Sequence, residues 1–198
     1  YHSSNYTLFN IFGGAFQILA MMILFPVLRK FINTLKIFYV SFTMAFVGYL
    51  TLLGITFTGS SNVYLLLVPA FFIMSAMGML NVIVTVFLAN TVDYGEYKNN
   101  RRDESVIFSM QTFVVKLSSG IAALAASVVI QVFNIKKDET GEVLQAIDRT
   151  SRMGLRMCMT VIPIIVLIVG LIVFRKNYIL TDAKLAQIND ELKSRKED

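Results

Sequence analysis

The sequence predicts an all-α integral membrane protein with five transmembrane helices, and two observations carry this prediction. First, 56% of the 198 residues are hydrophobic and 16% are charged, with a mean hydropathy of +0.65. Soluble domains carry roughly a quarter charged residues. Second, no charged residue occurs in residues 37–92. Because one transmembrane helix needs ~20 predominantly apolar residues, this run is long enough for two.

Five apolar segments are the predicted spans. The long apolar run divides at residues 56–62, where Gly, Ser and Asn favour a turn. Pro26, Pro69 and Pro163 are compatible with helices in a membrane bundle, because neighbouring helices can satisfy the carbonyl groups that proline frees. The predicted spans are residues 6–28, 37–57, 63–89, 106–133 and 157–174, which together form a transmembrane bundle over residues 1–174.

The distribution of basic residues predicts the orientation. Of the Lys and Arg residues outside the spans, twelve lie on one side and five on the other, all five within residues 134–156. Because cytoplasmic loops are enriched in Lys and Arg, the chain should begin outside and end in the cytoplasm. In the cytoplasmic tail, residues 175–198, Leu185, Ile188 and Leu192 recur at helical spacing. With Thr181 or Asp182 as its N-cap, the tail should form a short amphipathic helix.

Several functional classes are disfavoured. The net charge is +5, but the basic residues lie beside the spans and form no aromatic-basic recognition module. Nucleic acid is therefore not an expected partner. Cys158 is the one cysteine and His2 the one histidine, which argues against a metal site within the chain and against histidine-based catalysis. The chain is therefore not expected to be an enzyme, to bind a metal or to hold a cofactor.

Lys116 is the principal candidate functional residue. It lies about ten residues inside the fourth span, ~15 Å along a helix and near the middle of the membrane. A charged Lys there costs ~3 kcal/mol and usually faces a protein interior or a watery cavity. The alternatives are a snorkelling or a neutral buried lysine. Small and polar residues share the helical face of Lys116, and this stripe favours a cavity wall, close helix packing, or both. Its members are Ser109, Thr112, Ser119, Gly120, Ala123 and Ser127. Gln111 borders the stripe.

The third span carries a weaker polar stripe. Ser75, Gly78, Asn81 and Thr85 recur at three- or four-residue spacing, and both pore lining and helix packing explain them equally well. Asn81 is the candidate ligand residue of this stripe, because an amide in mid-span offers a donor and an acceptor to a hydroxyl-rich compound.

A charged stretch, NTVDYGEYKNNRRDES (residues 90–105), separates the third and fourth spans, and IFSMQTFVVKLSSG (residues 107–120) follows it. Together these motifs resemble the glycoside-pentoside-hexuronide:cation symporter family of the major facilitator superfamily. The combination of DYGE, then Arg102 and Glu104, then QTxxVK carries the resemblance. The chain departs from the family at Asn90, where Asp is frequent, and at Asn100, where Gly is frequent.

The resemblance implies that the five spans are the last five of a twelve-helix transporter working by alternating access. It implies a sugar site between two halves, with Gln111, Thr112 and Lys116 on one wall and Asn81 nearby. A coupling cation, Na⁺, H⁺ or Li⁺, would bind mainly in the N-terminal half, which this chain would lack. The expected partners are a sugar or glycoside, membrane lipid and that half, in a bacterial inner membrane. The alternatives are a lipid-carrying relative and a non-transporting scaffold or receptor.

The charged stretch is interpreted as a cytoplasmic gate. Its predicted members are Asp93, Tyr94, Gly95, Glu96, Arg102 and Glu104. Exposed ion pairs are worth ~0.2–1 kcal/mol each, so pairs that form across the two halves in one state would bias two conformations without locking either. Gly95 is expected to end or bend the third span, and Asp103 and Glu104 suit the N-terminus of the next helix. The alternative is interfacial charge that only sets topology.

Overall fold

The structure, a computed structural model, describes residues 3–58, 63–133 and 149–197. Within these ranges the chain is helical and contains no strand. The elements in chain order are α1 (Ser3–Leu19), a π-helical segment (Ala20–Leu24), α2 (Phe25–Phe31), α3 (Thr34–Thr58), α4 (Val63–Asn99), α5 (Glu104–Val132), α6 (Arg149–Asn177) and α7 (Asp182–Glu197). Five helical stretches are long and apolar enough to cross a membrane: Thr7–Phe31, Thr34–Thr58, Tyr64–Asn99, Glu104–Val132 and Thr150–Asn177. The predicted all-α class with five spans is confirmed.

The first span contains a widened turn just before its proline. The N–H of Phe25 bonds to the carbonyl of Ala20, five residues earlier, which is the π-helical pattern. Pro26 follows at the start of α2 and has no N–H to donate, so the regular hydrogen-bond ladder is interrupted there in any case. The span nevertheless continues without a break to Phe31.

Two helices are longer than the predicted apolar segments. Helix α4 continues to Asn99, ten residues beyond the predicted end at residue 89, and α6 begins at Arg149, eight residues before the predicted start. Of the two alternatives for Gly95, that it ends the third span is wrong, since the helix passes through it, and that it bends the helix stays a prediction. Hydropathy marks the part of a helix inside the membrane, whereas Glu, Lys and Arg support a helix equally well in water. The positions of the membrane surfaces along α4 and α6 stay a prediction. Residues 134–148 and most of the predicted turn at 56–62 lie outside the described residues.

Helix α4 is the central element of the bundle and packs against α1 and α3. Two glycines permit the close approach. A Cβ on Gly48 of α3 would lie 2.7 Å from Cγ1 and 3.1 Å from the backbone nitrogen of Ile73, and a Cβ on Gly78 of α4 would collide with the carbonyl oxygen of Gln17. Ser75 is buried beside them. For Ser75 and Gly78, the structure therefore favours helix packing over pore lining as the explanation of the third-span stripe.

An aromatic cluster joins α6 to α3 and α4. It lies towards the end of the bundle at which α4 continues into the charged stretch. The ring centroid of Phe174 lies 4.1 Å from that of Phe38, 5.6 Å from that of Phe87 and 4.6 Å from that of Tyr178. Phe38 also belongs to the buried core, together with Ala20, Phe25, Ile37, Met79 and Ile83. Such aromatic pairs add to the area that the rings bury.

Helix α5 differs from the other spans because none of its residues is buried. Its apolar side chains face outward; Phe113 is 60% exposed and Leu124 is 69% exposed. Its close contact with α6 is made by the ring of Phe133, just past its C-terminus, against Gly154. The chain therefore presents a complete transmembrane helix that is open to another partner along its length.

Helix α7 docks beneath the bundle against α4. Ile188 is 1% exposed, and Leu185 and Leu192 are half-buried on the same face. The expected amphipathic tail helix is present, with Leu185, Ile188 and Leu192 as its apolar face.

The glycine contacts lead to a prediction about stability. Gly78→Ala should destabilise the bundle by ~1–3 kcal/mol, because the added methyl has to displace the backbone of α1. Gly54→Ala, at a position with nothing within 4 Å of the added atom, is the matched control and should leave stability unchanged or raise it by up to ~1 kcal/mol, because alanine is the better helix former. Thermal unfolding of the two detergent-solubilised variants measures the difference. Equal melting temperatures would show that α1 and α4 can separate without cost.

Candidate functional site

The charged stretch forms a compact cluster around Arg102. Its Nη1 lies 2.8 Å from Oε2 of Glu96 and 3.2 Å from Oδ1 of Asp93, and its Nε lies 3.4 Å from Oε2 of Glu104. Asp93 and Glu96 are three residues apart on the last turns of α4 and therefore share one face. The turn at residues 100–103 brings Arg102 back over that face. Separately, Nε of Arg101 lies 2.6 Å from Oδ1 of Asp103.

The acidic side chains of the cluster favour the charged form of Arg102. The hydrogen bond to Glu96 raises the pKa of Arg102 above its ordinary value, and Glu104, Asp93 and the charge of Glu96 act in the same direction against desolvation. The Arg102 side chain is 48% exposed, so solvent screens each ion pair and each contributes little to stability. Such a cluster can be formed and separated at low cost.

The structure brings together four of the six predicted gate residues. Asp93, Glu96, Arg102 and Glu104 are in direct contact, within one chain. Tyr94 instead faces the tail, where Nζ of Lys184 lies 5.4 Å from its ring centroid. A Cβ added to Gly95 would have no neighbouring atom within 4 Å apart from its own helix backbone. The pairing across two halves of a transporter stays a prediction.

The polar stripe of α5 is present and exposed. Its hydroxyls donate to carbonyl oxygens of their own helix, Ser109 to Val106 at 3.0 Å, Thr112 to Phe108 at 3.1 Å and Ser119 to Val115 at 2.9 Å. These bonds satisfy the donors while each oxygen can still accept from a ligand. Gln111 is half-buried at the edge of the stripe.

Lys116 lies exposed at the middle of this face. Within residues 3–58, 63–133 and 149–197 it has no ion-pair partner. Asn81 is also exposed, on α4, and its carbonyl accepts from Thr85 at 3.1 Å. No hydrogen bond in the described part of the chain joins Asn81 to Gln111, Thr112 or Lys116. Their common role as a binding site stays a prediction.

A cavity of about 330 Å³ lies between α1, α3, α4 and α6. Its lining is largely apolar and contains none of the predicted site residues; Pro69, Ile73 and Met74 are on one wall and Met159 and Thr160 on another. In the described residues, no group of three or more His, Cys, Asp or Glu side chains is arranged to hold a metal ion.

The tail makes polar contacts that sequence patterns did not indicate. Nδ2 of Asn33, between α2 and α3, donates to Oδ2 of Asp182 at 2.7 Å. Nη1 of Arg195 donates to Oδ1 of Asn100 at 2.6 Å and to the carbonyl of Tyr97 at 3.3 Å. These partners are 149, 95 and 98 positions apart. Periodicity reports only local relations, so no signal in one sequence could have paired them.

A helical membrane bundle fits a membrane transport protein when an exposed apolar helix carries a lysine in a stripe of small and polar residues and an ion-pair cluster lies at one end. Residues 2–182 match the family described as MFS/sugar transport protein, and the chain belongs to that family. The resemblance drawn from the charged stretch and the QTxxVK motif is thereby confirmed.

Three relatives illustrate the match. The chain is 26% identical over 170 residues to a lactose permease of Lactobacillus delbrueckii subsp. bulgaricus, covering 86% of this chain and 26% of that protein. It is 28% identical over 188 residues to a raffinose carrier protein of Pediococcus pentosaceus, covering 94% and 27%. It is 26% identical over 184 residues to the uncharacterized symporter YnaJ of Bacillus subtilis, covering 92% and 37%. The chain thus spans about a quarter to a third of the length of these relatives, which are named as transporters and not as enzymes.

The geometry around Arg102 leads to a prediction about turnover. In the complete transporter, Arg102→Glu should lower the transport rate about tenfold while the equilibrium dissociation constant for sugar stays within about twofold, because three weak pairs are replaced by repulsion. Glu104→Arg should also lower the transport rate, but by less, because the contact between Arg102 and Glu104 is the longest of the three.

Arg101→Glu is the matched control. Arg101 is the neighbouring arginine, its side chain is 75% exposed, and its pairing is with Asp103 alone among the described residues. Initial rates of uptake and equilibrium sugar binding, measured on the same preparations, separate the two effects. Loss of binding by folded Arg102→Glu protein would place Arg102 in the binding site or its support.

Proposed function

We propose that the chain is the C-terminal part of a secondary active sugar or glycoside:cation symporter that works by alternating access. The match of residues 2–182 to a sugar-transport family is the observation that carries this proposal. The names of the relatives, a lactose permease, a raffinose carrier and a symporter, support a sugar or glycoside as the substrate class.

The second half of the transporter would cover α5. A 29-residue apolar helix without a buried residue has a surface that fits further transmembrane helices, and its small residues permit their close approach. The greater length of the relatives supports further helices outside this chain, and the resemblance to the symporter family implies that they lie upstream. The sugar would then bind between the two halves, against Gln111, Thr112 and Lys116, with Asn81 contributing from α4.

Lys116 would link the sugar site to the coupling cation. Once α5 is covered, the ammonium would be desolvated, and a buried charge needs a partner of opposite sign. A carboxylate from the upstream half is therefore the proposed partner. The cation, Na⁺, H⁺ or Li⁺, would bind mainly at such carboxylates, so that its occupancy changes the charge seen by Lys116.

The proposed location is a bacterial inner membrane, with the start of α1 outside and α7 in the cytoplasm. The twelve basic residues on the side of the Arg102 cluster and the tail support this orientation. Substrate-dependent uptake by the complete protein in proteoliposomes, abolished by an ionophore that collapses the cation gradient, tests the function. A lipid-carrying relative would move lysolipid instead, and a scaffold or receptor would move neither.

Lys116 provides a direct test of coupling. In the complete protein, Lys116→Ala should lower cation-driven accumulation at least tenfold, because removing one partner of a buried ion pair typically costs ~3–5 kcal/mol. Lys116→Arg should restore accumulation only partly, since the planar guanidinium is larger than the ammonium. Ser118→Ala, two residues away and equally exposed in this chain, serves as the control. Normal accumulation by well-expressed Lys116→Ala protein would show that the lysine has no part in coupling.

The chain by itself should not transport sugar. Five spans form one wall of a cavity that needs two, and the polar face of α5 is open in this structure. Reconstituted alone, the chain should show uptake equal to that of empty liposomes in a radiolabelled lactose or raffinose assay. Saturable uptake above that background would refute the need for a second half.

A further inference from the structure

We propose that Arg195 of the tail helix is a positioning residue for the charged cluster: it holds the turn between α4 and α5 in the conformation that brings Arg102 to Asp93 and Glu96. Its effect on transport rests on the function proposed above. The contacts themselves do not.

The turn depends on an unusual backbone conformation at Asn100. This residue has φ of 54°, in the left-handed region that non-glycine residues adopt uncommonly. Its N–H bonds to the carbonyl of Glu96 at 2.9 Å, which is a common way to end an α-helix. Asn tolerates this conformation better than most residues, yet the helix end needs further support for its remaining carbonyl groups.

Arg195 supplies that support. Its Nη1 donates to Oδ1 of Asn100 at 2.6 Å and to the carbonyl of Tyr97 in the last turn of α4 at 3.3 Å. Its guanidinium carbon lies 5.4 Å from the centroid of the Tyr97 ring, and its Nη2 bonds to Glu191 at 2.8 Å. A cation at this place also interacts favourably with the C-terminal end of the helix dipole.

These two acceptors lie between the partners of the charged cluster. Tyr97 directly follows Glu96, and Asn100 lies two residues before Arg102. By bonding to Tyr97 and Asn100, Arg195 restrains the short backbone segment that precedes Arg102. The conformation of this segment sets the position of the Arg102 Cα and hence the reach of its side chain. Without that restraint the segment gains conformational freedom, and the Arg102 pairs have to order it each time they form.

The tail helix presents Arg195 from a fixed position. Ile188 is buried against the bundle, Lys184 lies over the ring of Tyr94, and Asp182 accepts from Asn33. These anchors do not involve Arg195. Substituting Arg195 therefore removes the bonds to the turn while α7 stays docked.

The test uses the complete transporter with Arg195→Ala, Asn100→Gly and both changes together. Glycine keeps the positive φ without strain and removes only the side-chain acceptor. Arg195→Ala should lower the transport rate about threefold to fivefold and leave the sugar dissociation constant unchanged, and Asn100→Gly should act in the same direction and more weakly, because the bond from Arg195 to the carbonyl of Tyr97 remains. The double variant should be no slower than the slower single variant, because both changes break the same contact.

Two further variants refine the test. Arg195→Lys should recover part of the rate, since one ammonium replaces a planar group that reaches two acceptors. Lys193→Ala, on the same helix with its side chain exposed, should behave as the unchanged protein. Additive losses in the double variant, or an unchanged rate in Arg195→Ala, would overturn the proposal.

A second measurement does not depend on transport. A spin label on Arg101→Cys, with native cysteines replaced, should become more mobile when Arg195→Ala is introduced and not when Lys193→Ala is introduced. Unchanged label mobility would overturn the contact between tail and turn. If the unmodified protein moved no sugar, the proposed function would fail, and the label would still decide whether Arg195 holds the turn.

Discussion

The close approach of α4 to α1 and α3 is the constraint on which the rest of the structure depends. Inside a membrane, lipid tails are as apolar as leucine, so helices associate through tight contact more than through burial of apolar surface. Gly48 against Ile73 and Gly78 against Gln17 provide that contact. Once α4 is placed, its extension beyond the apolar segment carries Asp93 and Glu96 to the end of the bundle where α7 lies, and α7 has a surface on which to dock.

The structure separates two kinds of surface that a hydropathy pattern does not distinguish. Helices α3 and α4 bury residues such as Ile37, Met79 and Ile83 against each other, whereas α5, of similar apolar content, buries none. Apolar residues that face lipid and apolar residues that face another helix are the same residue types. Small and polar residues at helical spacing are the features that distinguish one exposed face of α5 from the rest of its apolar surface.

The sequence alone was sufficient for the number and type of the spans, because hydrocarbon thickness sets a length that apolar runs have to meet. It was also sufficient for the apolar face of α7 through Leu185 and Ile188. Helix ends were predicted less well, since α4 passes through Gly95 and continues beyond the apolar segment to Asn99. The bonds from Arg195 to the turn could not be predicted, because contacts between residues 95 and 98 positions apart leave no local pattern.

The π-helical segment at Ala20–Leu24 also affects how this chain is compared with other sequences. Ala20 and Phe25 are both buried although they are five residues apart, a spacing that a regular α-helix would turn towards different sides. The widened turn in effect inserts one residue into the first span and restores the phase of the buried stripe beyond it. A relative with a regular helix here would match residue for residue on both sides only if its alignment carried a one-residue gap within Ala20–Leu24.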